Sequence, residues 1–146
     1  MSRLRSKAAA AVLAVVAGVG IVLFATSGPA VAFFSGGLFL DIQVKSPATL
    51  VAKGAAVDVP VEVTCNARFD YVSVTVTQHS GSGVAQGSAS TEVGCTGSRQ
   101  QILLRVTATG GKAFKQGTAV ANADIFGCGT RTCGEETDSE VITLQR

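Results

Sequence analysis

The chain reads as a single all-β domain of the sandwich class, and three observations carry that reading. Val57–Cys65 alternates without a break: Val57, Val59, Val61, Val63 and Cys65 fall on one face, and Asp58, Pro60, Glu62 and Thr64 on the other. A period of two built on β-branched residues is a strand with one buried side. Five inward positions in a row need a second layer to cover them. Segments of this kind recur, about seven in all, at the roughly 8–15-residue spacing of an all-β domain with turn residues between strands. No helical period follows residue 32.

The N-terminus is a targeting segment by its pattern. Arg3, Arg5 and Lys7 precede an uncharged apolar run, Ala8–Phe24. Gly28-Pro29 breaks the expected signal helix, and Ala30-Val31-Ala32 gives a small-x-small cleavage site before Phe33. Residues 1–32 are therefore expected to be a signal peptide, 33–40 a leader, and 41–146 the domain. The alternative is an uncleaved membrane anchor, since the apolar run continues through Phe34 and is long enough to span.

Leu40–Val44 and Thr49–Val51 are pieces of one strand split at Ser46-Pro47. Proline at such a break suits an edge, where a missing N–H costs little. Lys53-Gly54-Ala55 turns into Val57–Cys65. Pro60 inside that strand cannot donate to a ladder, so it calls for an open edge or a bulge there. Tyr71–Gln78 follows, with Val72, Val74 and Val76 on one face and Tyr71, Ser73, Thr75 and Thr77 on the other. Ser80–Gly83 is a turn. Val84–Val93 is a weakly patterned strand, expected at an edge. Gln101–Thr109 places Ile102, Leu104, Val106 and Ala108 inward. Thr118–Phe126 sets Val120, Asn122 and Asp124 against a row of Ala119, Ala121, Ala123 and Ile125. Gly127–Asp138 reads as a polar loop, and Glu140–Gln145 as the last strand. The simplest fold with this pattern is an immunoglobulin-like β-sandwich, although no Trp and no mid-strand Cys is present.

The 146 residues suffice for one domain, and only 15% are charged. The formal charge of +2 comes from the N-terminus. Residues 1–32 hold three of the twelve basic residues and none of the ten acids, so the remaining 114 residues carry nine against ten. No basic patch is left to argue for nucleic acid. A membrane is expected to be met only through an uncleaved N-terminal segment.

All four cysteines, Cys65, Cys95, Cys128 and Cys133, lie in the part expected to be exported. An even count in a small exported domain argues for two disulfides, and four cysteines allow three pairings. In an immunoglobulin-like topology the end of Val57–Cys65 lies near the start of Gln101–Thr109. Cys65 and Cys95 can then meet, leaving Cys128 and Cys133 to clip the last loop. By loop entropy the larger ring is worth about 3.5–4 kcal/mol and the smaller about 2 kcal/mol. No CxxC occurs and His79 is the only histidine, so no metal or other cofactor is expected.

Catalysis finds no constellation. A Ser–His–acid arrangement would have to use His79, beside the Ser80–Gly83 turn, and no GxSxG is present. Glu135 and Glu136 are adjacent, the habit of a solvated loop. Asn122 and Asp124 share a strand face, but no loop with calcium-ligand spacing accompanies them. One loop has a shape of its own. If Cys128 and Cys133 join, Gly129, Thr130, Arg131 and Thr132 form a rigid tip that presents Arg131, and preorganisation lowers the entropy cost of binding.

The order GAAVDVPVEVTC, VSVTVTQ, a second Cys before Gly, and LLRVTATGGKAFKQGTAVANA resembles small secreted bacterial immunoglobulin-like proteins of unknown function. The matching positions are Cys65; Val74, Val76 and Gln78; Cys95 and Gly97; and Phe114, Gly117, Ala119 and Ala123, within Val57–Ala123. The resemblance implies fold and secretion and no activity. A weaker likeness is to neocarzinostatin-type apoproteins, exported sandwiches with two disulfides that carry an enediyne chromophore. Cys128-x4-Cys133 matches their short late ring, while Cys65 and Cys95 are farther apart than in that family and cleft aromatics are scarce. The expected function is a non-enzymatic extracellular interaction or structural module with a protein or small-molecule partner. A chromophore carrier is the alternative.

Overall fold

The computed structural model describes residues 37–146. The expected signal segment, the expected cleavage residues Ala30, Ala32 and Phe33, and the start of the expected leader lie outside the described residues. Eight strands follow one another: β1 (Leu40–Val44), β2 (Ala48–Val51), β3 (Ala56–Cys65), β4 (Phe69–Ser80), β5 (Gly83–Glu92), β6 (Arg99–Thr109), β7 (Gly117–Cys128) and β8 (Cys133–Gln145). One 3-10 turn, Ala52–Gly54, joins β2 to β3. The class is all-β, and among the described residues no helix is long and apolar enough to cross a membrane.

The pairing corrects the expectation of two open layers. β3 pairs with β6 from Ala56 to Thr64 along one edge. Its other edge takes β2 at Ala56–Asp58 and β1 at Val61–Cys65. β4 pairs with β5 and β7, and β7 with β8. Two short seams then join the halves: Gln86–Ser88 of β5 with Thr107–Thr109 of β6, and Ala48–Thr49 of β2 with Leu144–Gln145 of β8. The result is a closed barrel of seven strands, with β1 added to β3. The split first strand is one reason, since it carries β2 across to β8. Gly87 is the other. Any Cβ there would collide with the Thr107 carbonyl, so only glycine lets β5 come against β6.

The inward rows agree with the sequence. Val57, Val59, Val61 and Val63 are buried, as are Val72, Val74 and Val76, the β7 alanines, Ile125, Ile142 and Leu144. Phe114, in the β6–β7 loop, is buried too and donates its N–H to the Gly54 carbonyl at 2.8 Å. Gln78 fastens the same loop. Its Nε2 donates to the Lys115 carbonyl at 2.7 Å, and its Oε1 accepts from the Lys115 N–H at 2.8 Å.

Pro60 sits where its missing donor is not needed. Its carbonyl accepts from the Lys45 N–H at 2.9 Å, and the N and C=O of one residue face the same strand edge. Pro60 thus faces the gap between β1 and β2, opposite the Ser46-Pro47 break. The ladder to β6 on the other edge is untouched. The expected edge or bulge is a break in the neighbouring strand instead.

The outer face of β3 is covered as well as the inner. Asp58 and Glu62 are each only 8% exposed. Arg105, opposite Asp58 on β6, donates from Nε to Oδ1 and from Nη2 to Oδ2, each at 2.8 Å. Glu62 is met by Arg99 Nε at 3.1 Å and Lys45 Nζ at 3.6 Å. A carboxylate under cationic arms is stable only while it is paired.

Two outcomes are expected. Gly87→Ala separates the β5–β6 seam and costs about 1–3 kcal/mol, as overpacking does, measured by denaturant unfolding. Arg105 holds the Asp58 carboxyl below its ordinary range by hydrogen bonding, against the opposing effect of burial. A depressed folded pKa adds stability above the unfolded pKa that is lost as pH falls through the folded one. Arg105→Met therefore lowers the melting temperature at pH 7, and the difference from wild type closes as pH falls through the folded pKa of Asp58.

Candidate functional site

The expected polar loop Gly127–Asp138 is a tight hairpin. β7 runs to Cys128 and β8 starts at Cys133, with the two cysteines in register. The Gly129 N–H donates to the Thr132 carbonyl at 2.8 Å, and Cys128 is bonded to Cys133. Gly129, Thr130, Arg131 and Thr132 thus form the tip of a clipped two-strand ribbon. Glu135 and Glu136 belong to strand β8, opposite Phe126 and Ile125.

The hairpin does not stand alone. With Gly37, Leu38, Asn66 and Arg68 its tip lines a hollow of about 580 Å³. Asn66 shapes the floor by tying the end of the leader to the β3–β4 turn. Its Oδ1 accepts from the Phe39 N–H at 2.7 Å, and its Nδ2 donates to the Gly37 carbonyl at 2.8 Å. The Arg68 N–H donates to the Cys128 carbonyl at 2.9 Å, which fixes that turn against the hairpin. Two arginines, Arg68 and Arg131, therefore line one hollow, with no acid among its lining residues.

On the sheet face at this end, Tyr71 of β4 stands in register with Phe126 of β7. They are 40% and 41% exposed, large values for aromatic side chains in paired strands. The next rows along β4 and β7 are Ser73 with Asp124 and Thr75 with Asn122. Ser73 Oγ donates to Asp124 Oδ1 at 2.6 Å. The face thus runs from an aromatic pair beside the hairpin into a band of short polar side chains.

The structure separates the remaining sequence candidates. His79 lies near the far end of β4, paired with Val84, away from the hairpin. Asn122 and Asp124 share the polar band. The cysteines pair as Cys65–Cys95 and Cys128–Cys133. Donor atoms of Cys65, Cys95 and Asp70 lie within 4.8 Å of one another, with both sulfurs taken up by their disulfide. A second hollow, about 900 Å³, is lined by Leu50, Phe114, Gln116 and the cations Lys53, Lys115 and Arg146.

Sequence reasoning reached Arg131 and missed Arg68 and Asn66, which line its hollow, and the exposed Tyr71–Phe126 pair at the same end of the barrel. Alternation had already placed Tyr71 on an outward row. Its partner Phe126 is fixed by the β4–β7 register, which no local pattern specifies.

No family model matches the chain, and no curated protein matches it. Among solved structures it is similar to AggA, the major subunit of the aggregative adherence fimbriae type I of Escherichia coli. That match has 11% identity and a TM-score of 0.39, and it covers 77% of this chain and 97% of that one. A likeness so distant carries no inference about this protein.

Removing the small ring tests how far it shapes the hairpin. The Cys128→Ser, Cys133→Ser double variant is expected to lose about 2 kcal/mol of stability by loop entropy, measured in urea. Amide exchange should quicken at Gly129–Thr132 while β3 and β6 stay protected.

Proposed function

We propose that the chain is an exported, non-catalytic immunoglobulin-like domain that binds a partner outside the cell through the hairpin end. The Tyr71–Phe126 pair carries this reading. Two aromatic side chains left two-fifths exposed, side by side at the same end of the barrel as a preorganised Arg131, have the composition of interaction hot spots. Two disulfides suit an oxidising compartment. The two seams that close the barrel are only two and three residue pairs long, and between them β1, β2, β3 and β6 form one half and β4, β5, β7 and β8 the other, as the two sheets of an immunoglobulin-like domain would. The carrier reading draws less support. The larger hollow is lined by three cations, and its one aromatic, Phe114, is itself buried in the core.

Export is tested by intact mass of the protein recovered from its own host's medium. A mass beginning at Phe33, which gains four alkyl groups only after reduction, supports the reading. A full-length mass confined to membranes replaces it with the anchored form. Binding is tested with the triple variant Tyr71→Ser, Phe126→Ser, Arg131→Ala. Retention on the host's cell envelope is expected to fall by at least about tenfold, since hot-spot residues cost 2 kcal/mol or more each. Equal retention by a variant that melts like wild type removes the hairpin end from consideration.

A further inference from the structure

Asp70, the second residue of β4, lies against the Cys65–Cys95 disulfide. It is only 6% exposed. Its Oδ2 is 2.9 Å from Cys95 Sγ and 3.5 Å from Cys65 Sγ. A disulfide carries no proton, so neither sulfur can donate to a carboxylate. A contact of 2.9 Å is favourable only when the carboxyl holds the proton and donates it toward sulfur. The surroundings agree. Burial pushes the Asp70 pKa up, and the negative charge of Glu92 at the end of β5 adds to the effect. On β7 the register partner is the uncharged Gly127. On β3 and β6, Glu62 and Arg99 bind each other. Arg68 stands two residues before Asp70 in the preceding turn. The two sulfurs also differ in access, Cys65 being fully buried and Cys95 half-buried.

We propose that Cys65–Cys95 is an exchangeable disulfide, attacked at Cys95 by an external dithiol, and that Asp70 is its built-in acid–base group. A thiolate of the dithiol bonds to Cys95 Sγ and the Cys65–Cys95 bond breaks. The electron pair goes to Cys65 Sγ, which takes the Asp70 proton and becomes a thiol, leaving Asp70 as carboxylate. The second thiol of the reductant, as thiolate, then displaces Cys95. The reductant leaves as a disulfide, and Cys95 leaves as a thiolate that is protonated from water. Closure by a disulfide oxidant runs the same path backwards, with the Asp70 carboxylate removing the Cys65 proton. A buried leaving thiolate is otherwise costly, so a proton donor within reach bears directly on the rate. This inference does not depend on the hairpin end having a partner.

The test is the rate of reduction of the folded, exported protein by dithiothreitol from pH 4.5 to 8. Each cysteine is followed by alkylation and peptide mass, and rates are divided by the thiolate fraction of the reagent. For wild type the normalised rate at Cys65–Cys95 should fall at least about tenfold as Asp70 loses its proton, the scale of general acid catalysis. For Asp70→Asn it should be flat. Glu92→Gln leaves Asp70 in place and removes the charge that raises its pKa, so the midpoint of the fall should move to lower pH. The mixed disulfide trapped during reduction should be on Cys95. Parallel profiles for wild type and Asp70→Asn, an unmoved midpoint in Glu92→Gln, or trapping on Cys65 would each overturn the proposal. So would a disulfide that opens only at the rate of global unfolding.

Discussion

Everything in this barrel leans on β3. A strand is usually paired on two edges and buried on one face. β3 is paired on both edges and covered on both faces, so no part of it can move without breaking several contacts at once. Its inner valines supply the apolar face, where each buried side chain of that size is worth about 1.5–3 kcal/mol relative to exposure. Its outer carboxylates are held by arginines and a lysine from the strands on either side. The cations lie along the surface with exposed arms, and the acids lie beneath them. The interaction is therefore directional, and it helps to fix the register of β6 and β1 against β3.

The proline in β3 and the break in the first strand form one device. A proline would be excluded from a strand paired on both edges if a continuous neighbour needed its N–H. The neighbour breaks at the position where that N–H is missing. The break then frees β2 to leave the direction of β1 and reach β8. Closure of one seam follows from the same residue that looked like an objection to a central strand. The other seam rests on Gly87, where the absence of a Cβ admits the Thr107 carbonyl.

Much of this was legible. Period-two alternation located every strand but β8 to within about two residues, because apolar rows facing one core leave a local mark in the sequence. The pairing of Cys65 with Cys95 was within reach because β3 and β6 are neighbours in the simplest topology. Two features were not legible, for the same reason. Closure depends on pairings of two and three residues between distant strands, too short to leave a pattern. GEETDSE is polar throughout, so periodicity alone makes the hairpin a loop. β8 is a strand there because β7 pairs with it residue by residue, and an outward polar stretch satisfies that ladder as well as an apolar one. Two residues of the Val57–Ala123 pattern, Gln78 and Phe114, are architectural. Gln78 and Phe114 together hold the β6–β7 loop against the barrel, so the pattern speaks of packing and leaves the site unmarked.

The two perturbed carboxyls work in opposite senses. Asp58 meets a guanidinium, and its pKa is lowered; Asp70 is buried near the acid Glu92, and its pKa is raised. For Asp58 the native state binds fewer protons than the unfolded chain, so its contribution is present above the unfolded pKa and fades as pH falls through the folded value. For Asp70 the native state binds more, so its contribution is present below the unfolded pKa and fades as pH rises through the folded value. Acid therefore loosens the hold of β6 on β3 at Asp58 while it strengthens the packing around Cys65 and Cys95. The two sites lie toward opposite ends of β3, so pH acts on that strand unevenly. The end that carries the large disulfide is the more stable while Asp70 keeps its proton against sulfur. As pH rises the same carboxyl becomes a buried anion beside two sulfurs that can give it no hydrogen bond. That end of the barrel is where the fold holds an unfavourable charge, and the nearest bond whose opening would relieve it is Cys65–Cys95, since the thiols formed can donate to the carboxylate.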